Sequence, residues 1–338
     1  MYMEYEKFNP IEKKAYKLLY EAIKEKKDEV IFSGIYKGSM LEKIICCLKN
    51  RQVEIFYVDL NTIQYQILPV GTKFKIQYIM PKGNIDSEIY KLDRWVQKVL
   101  KDLKLTEEND DYFKCLKIHN YLIRNTKYCY EALENPSAFF NAFTVKGVYD
   151  ENEAVCEGIS KAFKLLCDKA GVKETHIVCG NSYCNALKKS IPHAWNVVKI
   201  NNIYSHIDVT WDLNYSVACK SNRYDYFMIP DKWMSVDHNF KIEVKSESIE
   251  NSYFNKKHCF LKNLSEVNQY IKQQVMSKKN IIYFKLSDEN SVIPKAIEKK
   301  IDKLFMDVIQ SKVQNNYYIE KAHNSIQDIY YYRVKILL

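Results

Sequence analysis

The chain has 338 residues, of which 47% are hydrophobic and 28% are charged, and these proportions are typical of a folded globular protein rather than a disordered one. The formal net charge is +9, but the lysines are mixed with acidic residues along the chain. Because no basic block or basic helix face stands out, we expect no nucleic-acid partner.

The ten cysteines are too few for a disulfide scaffold, and none forms a C-x-x-C pair. Cys46 and Cys47 lie in an apolar stretch and are predicted to be buried. The spacing of His176, Cys179 and Cys184 matches no usual zinc pattern, so we expect no metal site.

The first residues, "MYMEYEKFNPIEKK", contain no apolar core of a secretory signal. No apolar run approaches the roughly 20 residues that span a bilayer. The sequence therefore predicts a cytoplasmic protein without a membrane span.

Residues 1–105 are predicted to form an α+β N-terminal extension. Helical periodicity covers residues 10–25, and Pro10 stands where a helix commonly starts. The further elements predicted here are a strand at 29–36, a helix near 39–49, strands at 53–60 and 73–80, and a helix at 86–104.

Residues 106–240 are predicted to form a catalytic core, which begins with a helix at 110–128 that carries a structural His119. Residues 241–338 are predicted to form a C-terminal α+β segment. Its elements are a helix at 265–276, a strand at 280–286, a helix near 294–311 and a strand at 329–338. Neither outer segment contains a recognisable group of catalytic or ligand-binding residues. We therefore expect the functional site to lie in the predicted catalytic core, residues 106–240.

The stretch "NEAVCEGISKAFKLLCDKAGV", residues 152–172, predicts a helix with a cysteine near its start. Cys156 shares the apolar stripe of the helix, which by itself favours a packed core thiol. Asn152 as a cap would place Cys156 in the first turn, where unpaired N–H groups and the helix dipole stabilise a thiolate. Cys167, later in the helix, lacks that environment. Gly158 indicates either close approach of another chain segment or a plain packing requirement.

The stretch "PHAWNVVKINNIYSHIDVTWD", residues 192–212, predicts a hairpin that turns at Asn201 and Asn202, since asparagine tolerates positive φ angles. Ile200 then pairs with Ile203.

This register places His193 opposite Thr210 and Trp195 opposite Asp208, with all four side chains on one face. His193 and Asp208 become diagonal neighbours, which an imidazole and a carboxylate can bridge. Trp195 could shield that pair from water.

A thiol, an imidazole and a carboxylate in this arrangement are suited to covalent acyl chemistry. Cys156 would attack a carbonyl, His193 would accept and return the proton, and Asp208 would orient the imidazole. Two other side chains share the strand face: Asp212 is the alternative orienting acid, and His206 could line the site.

Three blocks, "AVCEGISKAFKLLCDKAGV", "HAWNVVKI" and "HIDVTWD", resemble the catalytic blocks of the transglutaminase-like superfamily, in its bacterial cysteine-protease-like branch. "KIHNYLIRNTKY" is similar to the helix that often precedes them, so that the resemblance covers residues 112–212. It implies a papain-like α+β core with a helix-borne cysteine packed on an antiparallel sheet. It also implies that Cys156, His193 and Asp208 are the catalytic residues.

The resemblance leaves the oxyanion donors open, because the approach "FTVKGVYDENEAVCEG" is longer than usual in the family. The Cys156 N–H is one candidate donor, and the side chains of Tyr149, Asn152 and Asn141 are others.

The sequence thus favours thiol-dependent acyl transfer on amide substrates, with a protein or peptide as substrate and no cofactor. Water as the acceptor would make the protein a protease or amidase, which we favour, and a lysine amine would make it a transglutaminase. The alternative is a non-catalytic interaction module, although inactive superfamily members usually lack a triad residue. The sequence leaves the substrate and the oligomeric state open.

Overall fold

The computed structural model describes residues 5–34, 38–184, 188–287, 295–312 and 317–336. The first segment surrounds a small antiparallel sheet, of strand order β1-β3-β2, with helices. Its elements are α1 (Pro10–Lys24), β1 (Glu29–Ser33), α2 (Gly38–Arg51), β2 (Gln64–Leu68), β3 (Gly71–Lys75) and α3 (Lys82–Asp102). Helix α1 begins at Pro10 as predicted, because the Asn9 side chain accepts hydrogen bonds from the first free N–H groups.

The predicted strand at residues 53–60 does not form. This run consists of turns with one isolated bridge, Val58 to Tyr78, although most of its apolar side chains are buried. The apolar run is therefore buried without pairing in a sheet. Strand β3 pairs with β1 and with β2, and the sequence pattern did not predict β2.

The middle segment builds a five-stranded antiparallel sheet of order β10-β6-β7-β8-β9. Its elements are α4 (Asp111–Asn125), β4 (Lys127–Tyr128), α5 (Glu131–Glu134), β5 (Glu153–Ala154), α6 (Cys156–Lys169), β6 (Thr175–Cys184), β7 (Lys189–Ile200), β8 (Ile203–Ile207), α7 (Val209–Cys219), β9 (Phe227–Ile229), α8 (Asp231–Met234) and β10 (His238–Asn239). Helix α6 lies against β6 and β7, with α4 and α7 beside it.

The predicted hairpin turn is confirmed. Asn201 and Asn202 adopt φ angles of 51° and 64°, and Ile200 pairs with Ile203. Two consecutive positive φ angles give the tight turn that fixes the register of β7 against β8.

The C-terminal segment forms a mixed four-stranded sheet of order β11-β12-β14-β13. Its elements are α9 (Tyr253–Lys256), β11 (Phe260–Leu261), α10 (Leu264–Met276), β12 (Ile281–Leu286), α11 (Lys295–Lys312), β13 (Tyr317–Asn324) and β14 (Ile329–Ile336). The predicted helices and strands of this segment are present within the described residues, while residues 294, 337 and 338 of these predictions lie outside them. Strand β13 is an additional strand.

The α+β class is confirmed. One hydrophobic core extends through the first and middle segments, from Phe8 to Met228, and a second occupies the C-terminal segment. The boundaries near residues 105 and 240 remain predictions. Among the described helices, none combines the length and the apolar character that a membrane span requires.

Candidate active site

Helix α6 begins at Cys156 and not at Asn152. Asn152 is left-handed, with a φ of 55°, and ends the turn at Gly147–Glu151, so it does not cap α6 as predicted. Strand β5 follows it and pairs in parallel with β4, which keeps the chain extended until Val155, the N-cap residue. The thiol therefore stands on the first helical residue, where the helix N-terminus favours an anion.

Gly158 lets another chain segment approach the start of α6. A side chain there would place its Cβ 2.3 Å from the carbonyl oxygen of Ala142 and 2.9 Å from that of Thr144. The same Ala142 oxygen accepts a hydrogen bond from Val155 N–H at 3.0 Å. Gly158 therefore permits close approach of the segment at Ala142 and Thr144, which was one of the two alternatives that the sequence left open.

Two buried polar side chains join α6 to β7. The Ser160 hydroxyl lies 2.7 Å from the Cys156 carbonyl oxygen and 3.0 Å from that of Ala194, the neighbour of His193. The Asn196 side chain donates to the Ser160 carbonyl at 3.0 Å. Since buried polar groups rarely remain unpaired, these contacts fix how the helix sits against the strand.

His193 and Asp208 are in contact, as predicted, but not through strand pairing. Their Nε2 and Oδ2 atoms are 2.6 Å apart, and both side chains are almost completely buried. Strand β8 ends at Ile207, so the predicted pairs of His193 with Thr210 and of Trp195 with Asp208 do not form. Asp208 instead caps α7, because its Oδ1 accepts a hydrogen bond from Trp211 N–H at 3.0 Å.

The charges around His193 favour its imidazolium form. Burial by itself lowers the pKa of His193, but the charges of Asp208 and Cys156, with their hydrogen bonds to the ring, raise it to about 10. Burial by itself would raise the pKa of Asp208, and His193 and His238 hold it well below its usual range. Cys156 and Asp208 thus both interact with the imidazole of His193.

The other residues predicted on this strand face have structural partners. Trp195 stacks on His193, with ring centroids 5.8 Å apart, and its indole N–H donates to Nδ1 of His206 at 3.0 Å. The other ring nitrogen of His206 lies 2.7 Å from Oδ1 of Asp231. Burial lowers the pKa of His206. His206 is therefore held in the sheet and not at the thiol.

Asp212, the alternative orienting acid, pairs with His119 on α4. Asp212 Oδ2 and His119 Nε2 are 2.9 Å apart in a fully buried contact. Asp212 is thus paired with His119 and not with His193, and the structural role of His119 stays a prediction.

Two of the predicted side-chain oxyanion candidates, Tyr149 and Asn141, are engaged elsewhere. The Tyr149 hydroxyl donates to Glu88 at 3.1 Å, and the Asn141 amide donates to Glu151 at 2.6 Å. The backbone carbonyl of Asn152 accepts from Lys127 N–H.

Tyr128, which the sequence analysis did not single out, lies at the start of α6. It pairs with Ala154 across β4 and β5. Burial raises the pKa of Tyr128, and a hydrogen bond from the Cys156 backbone partly opposes this increase. A bond that stabilises the phenolate must come from a donor, so the N–H of Cys156 faces the Tyr128 hydroxyl.

His238 is a second histidine on Asp208, which sequence reasoning also missed. Its Nε2 lies 3.2 Å from Asp208 Oδ2, and its Nδ1 lies 2.5 Å from Oδ1 of Asp237. His238 follows the predicted blocks in a short edge strand and belongs to no recognised motif. The one local signal was Gly180 inside a strand pattern, which indicates a close backbone approach.

Among the described residues, His193, Asp208 and His238 have donor atoms within 4.8 Å of one another, as do Cys129, Glu131 and Glu153. A tetrahedral zinc ion would hold two of its ligand atoms roughly 3.3 Å apart. The 2.6 Å between His193 and Asp208 is too short for two ligands of one ion and is typical of a charge-assisted hydrogen bond. We therefore describe this group as a proton-linked chain.

No family model matches the sequence, and no curated protein matches it. This chain is similar to a solved structure described as "Crystal structure of a TGase". The alignment covers 54% of this chain and 50% of the chain in that structure, at 13% sequence identity and a TM-score of 0.32. The chain thus spans about half the length of that structure.

Proposed function

We propose that the protein is a thiol-dependent acyl transferase or hydrolase that acts on amide bonds, of the transglutaminase-like type that its sequence blocks resemble. The observation that carries this proposal is that the His193 imidazole interacts with Asp208 on one side and with Cys156 on the other. Cys156 stands on the first residue of α6, where a thiolate is stabilised. In this proposal His193 and Asp208 complete a catalytic triad.

The reaction runs in two steps. The Cys156 thiolate attacks the amide carbonyl, the C–N bond breaks, and the His193 imidazolium gives its proton to the departing amine. Water or a second amine then attacks the thioester while the neutral imidazole removes a proton from this nucleophile, the C–S bond breaks, and the Cys156 thiolate and the His193 imidazolium are restored. Because Nε2 of His193 is bound to Asp208, Nδ1 is the ring nitrogen that gives and accepts the protons in these steps.

The oxyanion of the tetrahedral intermediate would lie at the start of α6. The Cys156 N–H belongs to the first turn and needs no partner within the helix. The Tyr128 hydroxyl, which that N–H faces, is a second donor within reach of the same position. These two groups replace Tyr149, Asn152 and Asn141 as oxyanion donors in the proposal.

Alkylation of Cys156 tests the proposal without knowledge of the substrate. Cys46 and Cys179 are also half-buried thiols, and burial raises the pKa of both. The full-length protein is treated with limiting iodoacetamide at pH 6, and the modified cysteines are quantified by peptide mass spectrometry. We expect Cys156 to react at least about ten times faster than these two internal controls, because its thiol interacts with the His193 imidazole and stands at a helix N-terminus.

A second assay addresses the acceptor. Casein is incubated with the protein in the presence of dansylcadaverine, and both peptide release and dansyl incorporation are measured. Peptide release supports hydrolysis, dansyl incorporation supports transamidation, and Cys156→Ala must abolish either activity. Equal labelling of the three thiols, together with no turnover of casein, would favour the non-catalytic interaction module.

A further inference from the structure

Two imidazoles share one oxygen of the buried Asp208 carboxylate. Its Oδ2 lies 2.6 Å from Nε2 of His193 and 3.2 Å from Nε2 of His238, while Oδ1 accepts the N–H of Trp211. A Cys-His-Asp triad needs only the first of these contacts. The second imidazole therefore requires its own explanation.

His238 is held as a donor toward Asp208. Asp208 is ionised, since His193 and His238 keep its pKa low, and a carboxylate can only accept hydrogen bonds. Nε2 of His238 must then carry a proton that it donates to Asp208. This holds whether Nδ1 of His238 or the Asp237 carboxylate carries the proton in the contact between those two groups. Asp237 is itself fixed by the Tyr226 hydroxyl, which donates to its Oδ2.

Strand pairing and a glycine on the neighbouring strand place His238 beside Asp208. Strand β10 pairs with β6, and Gly180 on β6 lies directly opposite His193 on β7. A Cβ on Gly180 would lie 2.5 Å from the carbonyl oxygen of Asn239 and 2.8 Å from the Trp195 ring. Without a side chain at Gly180, β10 can approach closely enough for His238 to reach behind the His193–Asp208 pair.

The surroundings of His238 are buried and contain a limited set of ionisable groups. Aromatic rings enclose it, with centroids 5.0 Å away for Trp195, 5.1 Å for Trp211 and 5.6 Å for Tyr226. The titratable side chains that face His238 or its partners include His193, His206, Asp208, Asp237, Tyr215 and Tyr226, and His119, Tyr128 and Asp212 also interact with Asp208. In so dry a site one hydrogen bond to a carboxylate changes its charge density substantially.

We propose that His238 is a positioning residue that acts through Asp208 and limits how strongly Asp208 holds the proton on His193. The hydrogen bond from His238 withdraws negative charge from the oxygen that His193 also uses. This inference rests on the proposed function, because it matters only if His193 must both hold and release a proton.

The effect is most important after the thioester has formed. The charge of Cys156 helps to raise the pKa of His193, and acylation removes that charge. Asp208 then dominates, and His193 has to become neutral in order to accept a proton from water or an amine. With His238 in place, a larger fraction of His193 is neutral at a given pH, so the second step of the reaction is faster.

The test uses full-length protein in which Cys156 has been capped with iodoacetamide, a neutral stand-in for the acyl group. Histidines labelled with ¹³C at Cε1 are titrated by NMR, and the His193 signal is assigned with His193→Gln. In His238→Leu we expect the midpoint of His193 to rise by about 0.5 to 1 pH unit, because a donor to its counter-ion is lost. His238→Gln, whose amide can still donate to Asp208, should shift it less.

Asp237→Asn is a second variant that does not remove the imidazole. The Tyr226 hydroxyl and the Gln327 amide both donate to Oδ2 of Asp237, so an asparagine places its carbonyl there and turns its NH2 toward Nδ1 of His238. Nε2 of His238 then keeps its proton and its bond to Asp208, and the His193 midpoint should shift less than in His238→Leu. Thermal melts of each variant show whether it is folded at the titration temperature.

The outcomes separate the two proposals. An unchanged His193 midpoint in folded His238→Leu, or a rise in Asp237→Asn as large as that in His238→Leu, would show that the His238–Asp208 bond does not set the His193 midpoint, and would overturn this inference alone. A wild-type His193 midpoint that does not change when Cys156 is capped would mean that the two side chains are uncoupled, and would overturn the proposed function as well.

Discussion

Two of the buried histidine–aspartate pairs, His119–Asp212 and His193–Asp208, have acids four residues apart and differ in the charge states that their surroundings favour. In one pair, burial lowers the pKa of His119 to about 3 and raises that of Asp212 well above its usual range, so burial favours the neutral form of both side chains. In the other, the pKa of His193 is raised to about 10 and that of Asp208 is lowered, so both are charged.

The difference arises from what surrounds each acid. Asp208 receives hydrogen bonds from Trp211 N–H and His238, and His193 also interacts with Cys156. Asp212 lies near the carboxylate of Asp225, whose charge adds to the effect of burial. A short contact between histidine and aspartate is therefore not evidence of a catalytic pair, because the neighbouring charges decide whether it is an ion pair.

Replacement of the two acids should give the largest contrast. Asp208→Asn removes one partner of a buried ion pair and should lower the free energy of unfolding by about 3 to 5 kcal/mol. Asp212→Asn exchanges a protonated acid for an amide with the same shape and the same hydrogen bonds to His119 and Tyr226, so it should change that free energy by less than about 1 kcal/mol. Urea unfolding of both variants at pH 7 measures the difference, and equal losses would contradict the two charge states.

Replacement of the two histidines should separate reactivity from stability. His193→Gln removes the base that accepts the thiol proton in the proposed mechanism, so it should slow iodoacetamide alkylation of Cys156 at pH 6 by about 100-fold. His119→Gln should leave that rate within about twofold. The rates are obtained by quenched-reaction mass spectrometry, and a large effect of His119→Gln in folded protein would mean that the two pairs are not independent.

The acid dependence of stability should follow His119. Its folded-state pKa of about 3 lies below the ordinary value near 6.5, so the folded state favours the neutral ring. The corresponding stability is present above pH 6.5 and is lost as the pH falls toward 3, with a slope of up to about 1.4 kcal/mol per pH unit. His119→Gln should reduce the slope of urea-derived unfolding free energy between pH 6.5 and 5; an unchanged slope would contradict this assignment.

The alkaline dependence of thiol reactivity should follow His193, with the opposite sign. Its pKa is raised to about 10, so the imidazolium persists until the pH passes through that value. Iodoacetate is attracted by this charge and iodoacetamide is not. The ratio of their rates at Cys156 should therefore fall by about fivefold, or ~1 kcal/mol, as the pH rises through 10. The ratio in His193→Gln provides the baseline, and a wild-type ratio that matches it at pH 8 would count against the ion pair.

The sequence predicted local structure well where the pattern was long and periodic. Helices α1, α4 and α10 and the turn at Asn201 and Asn202 form within a few residues of their predicted positions. Residues 53–60 failed because a buried apolar run can satisfy its burial without pairing in a sheet.

At the candidate site, the sequence by itself determined which chemical groups are present and how the hairpin brings His193 near the end of β8. Only the tertiary structure decided that Cys156 is the first residue of its helix, that Asp208 caps a helix, and that His238 approaches from an edge strand beside Gly180. The physical reason is the distance along the chain over which each interaction acts. Helix capping and turn formation depend on residues a few positions apart, whereas burial and charge depend on groups that folding brings together from distant positions.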